Sequence, residues 1–144
     1  MTKATYQLSV FFLSLCLCVS AMAAAADTGK TPAVLLAAKS SSEEQTLITQ
    51  LRSSAPTEKR HAAIAIHRFY LHNKRLVAVV EDELLKGYRI WTRDKRYVDA
   101  MAWMCNVLGD SGNQKYAPTL RKVSYSAKNR KVRSYAKRNY RKIR

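Results

Sequence analysis

Cysteine is scarce in this chain of 144 residues, and two of its three cysteines, Cys16 and Cys18, fall within the first 26 positions. If that segment is removed, Cys105 stands alone, so the fold must be held by its apolar core and not by intramolecular disulfides. Cys105 sits among apolar helix positions and reads as a small buried hydrophobe, not a reactive thiol. Acidic residues are also few: 10 against 26 lysines and arginines, for a formal net charge of +16. From Lys115 to Arg144 there are 12 basic residues and no acidic one. Charge of one sign concentrated on a folded segment creates a field that attracts polyanions, acidic proteins or anionic lipid surfaces.

The constellations that carry chemistry are missing as well. His61, His67 and His72 are separated by six and five positions, whereas paired metal ligands on a helix need a spacing of three or four. Glu81, Asp82 and Glu83 are consecutive, so on a helix they point in different directions. Gly29-Lys30-Thr31 ends like a phosphate-binding loop but lacks the earlier glycine and a preceding strand. No Ser–His–Asp or Cys–His set can be assembled. The sequence therefore points to a protein that is not an enzyme, with no catalytic, metal or cofactor residue to assign.

What is present begins with an export signal over residues 1–26. Lys3 gives a positive start, Leu8 to Val19 form an apolar run, and Ala21-Met22-Ala23 and the following alanines offer a cleavage site before Asp27. This predicts a periplasmic or secreted protein that meets the membrane only transiently. An uncleaved anchor is the rival reading, because Leu8 to Ala26 carries no charge. Lipidation is excluded by the leucines that precede Cys16 and Cys18. Residues 27–42 read as a flexible linker, broken by Gly29, Pro32 and Ser40-Ser41-Ser42, although Ala33 to Lys39 could form a short helix.

Residues 43–144 carry a pattern that occurs three times, at intervals of 37 and 34 positions: His61-Ala62-Ala63-Ile64-Ala65, Val98-Asp99-Ala100-Met101-Ala102 and Val132-Arg133-Ser134-Tyr135-Ala136. A period in this range marks stacked helical units that cannot bury their apolar faces alone. The expected fold is all-α, a short solenoid of about three helical hairpins over 43–72, 73–113 and 114–144. In the first, Glu43 and Glu44 favour a helix start after Ser42, and Pro56 separates that helix from a second over Thr57–His72. Lys74–Ile90 and a helix starting at Asp94 form the second, closed by Leu108-Gly109-Asp110-Ser111-Gly112-Asn113. Gln114–Ala127 and a final helix capped by Asn129 form the third, with Val132, Tyr135, Ala136, Tyr140 and Ile143 on one face.

The stretch YAPTLRKVSYSAKNRKVRSYAKRNYRKI resembles a HEAT repeat. Pro118 stands in its first helix, Leu120 and Val123 follow at apolar spacing, Asn129 marks the turn, and Val132-Arg133 leads to the small Ala136. The LGDSGN segment is similar to the link between consecutive HEAT units. In the first unit His61-Ala62 stands where the family has Val-Arg, and in the second Asp99 replaces the arginine. The resemblance implies that the second helix of each unit lines a concave surface.

The central helix, Asp94 to Asp110, is apolar nearly all round and must be covered on most sides. Its polar strip is Asp99, Trp103, Asn106 and Asp110, spaced to share one line. Aligning the units on one another places Trp103 level with Ile66 and Lys137. With the second helices on a concave surface, the resemblance implies a groove graded from apolar to basic, with Phe69, Trp103 and Tyr140 as anchors and Asp99, Asn106, Arg133, Lys137 and Arg144 beside them. Its partner would be a protein with an acidic and apolar surface, bound by a non-enzymatic scaffold module. The alternative is a polyanion, either an envelope polymer or a nucleic acid, held by a stripe of Arg130, Arg133, Lys137, Arg141 and Arg144 on the last helix, with Tyr116, Tyr125, Tyr135 and Tyr140 interleaved among the bases of the third unit to stack on exposed rings.

Overall fold

The computed structural model describes residues 32–144, and all regular structure among the described residues is helical. Six α-helices follow one another: α1 Pro32–Arg52, α2 Pro56–Phe69, α3 Lys74–Gly87, α4 Lys95–Asp110, α5 Ala117–Ser126 and α6 Arg130–Ile143. A short 3₁₀ turn, Gln114–Tyr116, leads into α5. The export signal expected over 1–26 and the start of the linker at 27–31 lie outside the described residues. No helix among the described residues is long and apolar enough to cross a membrane.

The helix starts follow from local chemistry. Asn73, Asp94, Asn113 and Asn129 each turn a side-chain oxygen onto the free backbone N–H groups of the turn that follows, at 2.8 to 3.1 Å. α2 has no such cap and starts on Pro56, whose missing N–H costs nothing in the first turn. The helix expected to start after Ser42 begins at Pro32 instead, so the linker reading of 32–42 is corrected. Proline is as compatible with a first helical turn as with a break, and serine is only mildly unfavourable inside a helix. Thr46 and Thr49 donate to the carbonyls of Ser42 and Gln45 one turn back, at 2.9 and 3.0 Å, and so stay inside the ladder.

The packing order places α4 at the centre. It touches α2, α3, α5 and α6, and it buries Val98, Ala100, Met101, Ala102, Met104, Cys105, Val107, Leu108 and Gly109. Consecutive helices α1 and α2, α3 and α4, and α5 and α6 pack on each other, as do α1 on α3, α3 on α5, α2 on α4 and α4 on α6. One continuous core runs through them, from Leu47, Ile48 and Leu51 of α1 to Val132, Ala136 and Ile143 of α6. Each helix thus gives its apolar stripe to two or more neighbours, which is what stabilises helices too short to persist alone.

Charged side chains are used inside this framework. Lys59 Nζ donates to Glu83 Oε2 at 2.7 Å and to the carbonyl of Leu51 at 2.6 Å, tying the ends of α1 and α2 to α3. Lys86 Nζ reaches the other oxygen of Glu83 at 2.8 Å. Burial opposes charge on Glu83, but the two ammonium groups outweigh it and hold the carboxyl below its ordinary range. Glu44 accepts from Asn73 Nδ2 at 2.9 Å and pairs with Arg75, and Thr119 Oγ1 donates to Glu81 at 2.5 Å across α3 and α5. α3 ends at Gly87, short of the expected Ile90, and the link to α4 leaves Ile90 and Trp91 exposed.

Candidate functional site

The polar line of α4 is a seam. Lys131 Nζ donates to Asp99 Oδ1 at 2.5 Å, Asn139 Nδ2 donates to Asn106 Oδ1 at 2.9 Å, and Lys142 Nζ donates to Asp110 Oδ1 at 2.6 Å. From the other side His67 Nε2 of α2 lies 2.7 Å from Asp110 Oδ2. Burial works against charge on Asp110, yet Lys142 and His67 more than offset it and lower its pKa. Trp103 is half-buried against the core, its ring edge-on to His67 with centroids 5.3 Å apart. Asp99 and Asn106, expected to meet a partner, spend their hydrogen bonds on α6.

The register of α6 also differs from the one obtained by aligning the units. A cleft of about 190 Å³ beside Trp103 is lined by Lys131, Tyr135 and Arg138 of α6, not by Lys137 and Tyr140. A shift of one residue turns a helix by about 100°, and that turn separates the two rows. Tyr140 lines another cleft, of about 440 Å³, with Arg121, Lys122 and Tyr125 of α5. The single groove expected from Phe69 through Trp103 to Tyr140 is therefore corrected to separate surfaces. Phe69 itself is 68% exposed at the end of α2, edge-on to Tyr70.

On α6, the residues turned away from α4 are basic. Arg130, Lys137, Arg141 and Arg144 are exposed, and none forms an ion pair with an acid among the described residues. Arg133 is half-buried and donates through Nη1 to the carbonyls of Ala127 and Lys128 at 2.7 and 3.1 Å. It caps the end of α5 and is only partly available as a binding group.

Of the facing row on α5, the sequence marks Tyr125 as a binding residue but not Pro118, Arg121 or Lys122. Pro118, Arg121, Lys122 and Tyr125 recur at spacings of three, one and three, opposite the buried Thr119, Leu120 and Val123. Tyr125 is 78% exposed and shares the larger cleft with Tyr140. The signal is present in that spacing, but the denser charge of α6 masks it. Together the two helices present guanidinium and ammonium groups around two tyrosine rings, a combination able to pair with anionic oxygens and to offer a flat apolar face.

Cys105 is fully buried, and burial pushes its thiol up to about 12, where almost no thiolate exists near neutral pH. No group of three or more His, Cys, Asp or Glu among the described residues could hold a metal ion. Compared with protein-family models, curated proteins and solved structures, the chain matches none of them.

Proposed function

We propose that this chain is a non-enzymatic binding module that holds a polyanion on the outward face of α5 and α6. The observation that carries the reading is the division of charge. Between Glu43 and Asp110 every acidic side chain except Glu58 and Asp82 accepts a hydrogen bond within the chain, while no outward base of α5 or α6 forms an ion pair with an acid among the described residues. Free basic groups around Tyr125 and Tyr140 fit a polymer of phosphate or sulfate groups, whose binding releases counterions. The pairwise packing of consecutive and alternate helices supports a short HEAT-like solenoid of three stacked units, with the third as the binding end. The apolar opening segment supports export, so the polymer would belong to the envelope or its surroundings.

The test is heparin and DNA binding across a salt series. Reversing Arg121, Lys137 and Arg141 to glutamate should lower affinity strongly and flatten the salt dependence, by about one unit of slope for each phosphate no longer neutralised. The same reversal at the exposed Arg52, Arg68 and Lys74 is the control and should change it far less. Equal losses in both triples would reduce the face to general charge and sink the reading. A protein partner with an acidic and apolar surface is the second reading, favoured by the exposure of Phe69. It would be supported by a partner whose capture withstands high salt and is lost on Phe69→Ser.

A further inference from the structure

The link between α3 and α4 places two large apolar side chains in solvent: Ile90 is 53% exposed and Trp91 is 66% exposed. The backbone beneath them is fixed. Tyr88 is buried, its carbonyl accepts from Lys128 N–H at 3.1 Å, and Ile90 N–H donates to the Gly87 carbonyl at 3.0 Å. Asp94 N–H donates to Thr92 Oγ1 at 3.0 Å. The pair is thus held outward by a braced link.

The surroundings are basic. Arg89, Arg93, Lys95, Arg96 and Lys128 are all exposed, and Arg93 lies 5.5 Å from the centre of the Trp91 ring. A cleft of about 500 Å³ separates Trp91 from Asn129 and Lys131. The nearby acids are committed elsewhere, Asp94 to capping α4 and Asp99 to Lys131. An apolar tip ringed by cations is complementary to a surface with anionic groups outside and hydrocarbon beneath. A tryptophan settles at such a boundary because its ring is apolar and its N–H needs a polar partner.

We infer that Ile90 and Trp91 form a tip that docks on an anionic lipid bilayer, with the surrounding arginines and lysines against the headgroups. A soluble polymer of phosphate or sulfate groups would satisfy the charges, and a nucleic-acid base could stack on Trp91, but neither covers the aliphatic Ile90, so the lipid surface is the better match. This goes beyond the α5 and α6 face and does not depend on it.

The test uses the full chain with Trp103→Phe, which leaves Trp91 as the sole tryptophan, since the sequence holds only two. Fluorescence then reports on this tip whatever the apolar opening segment does. With phosphatidylserine-containing vesicles, Trp91 emission should shift to shorter wavelength and be quenched by bromine on the lipid acyl chains. Arg89→Glu with Arg93→Glu should abolish both changes. The reciprocal Trp91→Phe chain, reporting from Trp103, should show neither. Emission that stays put with anionic vesicles overturns the proposal, as does equal quenching by pure phosphatidylcholine vesicles. The same blue shift with heparin or single-stranded DNA would also overturn it, assigning the tip to soluble polyanions.

Discussion

Gly109→Ala tests a close approach between α4 and α6. A methyl group built on Gly109 would lie 2.5 Å from both Cβ and Oδ1 of Asn139, a residue with 0% exposure. The Asn139 Cβ sits next to its backbone and cannot swing away, so the two helices must separate. Asn139 Nδ2 donates to Asn106 Oδ1 at 2.9 Å and to the Tyr135 carbonyl at 3.0 Å, and the bond across the seam breaks first. Overpacking of this kind costs about 1–3 kcal/mol, and a broken buried hydrogen bond adds about 1 kcal/mol. Replacing a helical glycine with alanine returns about 1 kcal/mol. The net is a destabilisation of about 1–3 kcal/mol, read as a lowered midpoint in urea unfolding followed by helical circular dichroism. In an Asn139→Gly background, which removes the Cβ together with the amide, the same substitution should be neutral or stabilising. A single variant with the parent's midpoint, or one equally damaging in both backgrounds, would refute this account of the seam.

Two further outcomes concern the core and two acids paired with cations. Ala102→Leu, at a position with 3% exposure in α4, should cost about 1–3 kcal/mol by overpacking, visible in a thermal melt. Glu83 and Asp110 both have folded pKa values lowered by their cationic partners. Their stabilisation is therefore complete above their ordinary pKa values and is lost as pH falls through the lower folded ones. Urea midpoints measured from about pH 6 to about pH 3 should fall, and Glu83→Gln should make that fall shallower. An acid slope unchanged by the substitution would place the pH dependence elsewhere.

Much of the helix pattern is legible in the sequence because local chemistry decides it. Asp94 and Asn129 are readable as starts, and both cap their helices. The glycine-rich stop after α4 is readable too, and Gly112 takes φ 65° there. Three boundaries differ, each for a physical reason. α2 ends at Phe69, short of the expected His72, because Tyr70 leaves helical geometry while it and Leu71 still pack on the core. Pro32 has the look of a break, yet it starts a helix. The apolar pattern of α3 continues through Tyr88, which is buried by tertiary packing after the helix has ended at Gly87.

The candidate site is less legible, because periodicity tells which side of a helix is apolar but not which neighbour covers each edge. On α6 the row Lys131, Arg138 and Lys142 and the row Arg130, Lys137, Arg141 and Arg144 look alike in sequence. The first is drawn onto Asp99, Asn106 and Asp110 of α4 and the second is left outside. Asn139, polar in the most basic helix of the chain, reads as a solvated residue, yet it is buried because Gly109 opposite it has no side chain. The same fact decides the charge of the surface. With the acids of α4 spent on the inner row of α6, the outer row and the exposed bases of α5 carry an uncompensated positive field around Tyr125 and Tyr140. Strengthening the seam and exposing the basic face are thus two consequences of one placement of charge. A substitution such as Asp99→Lys would disturb both together, whereas Arg121→Glu should disturb only the second.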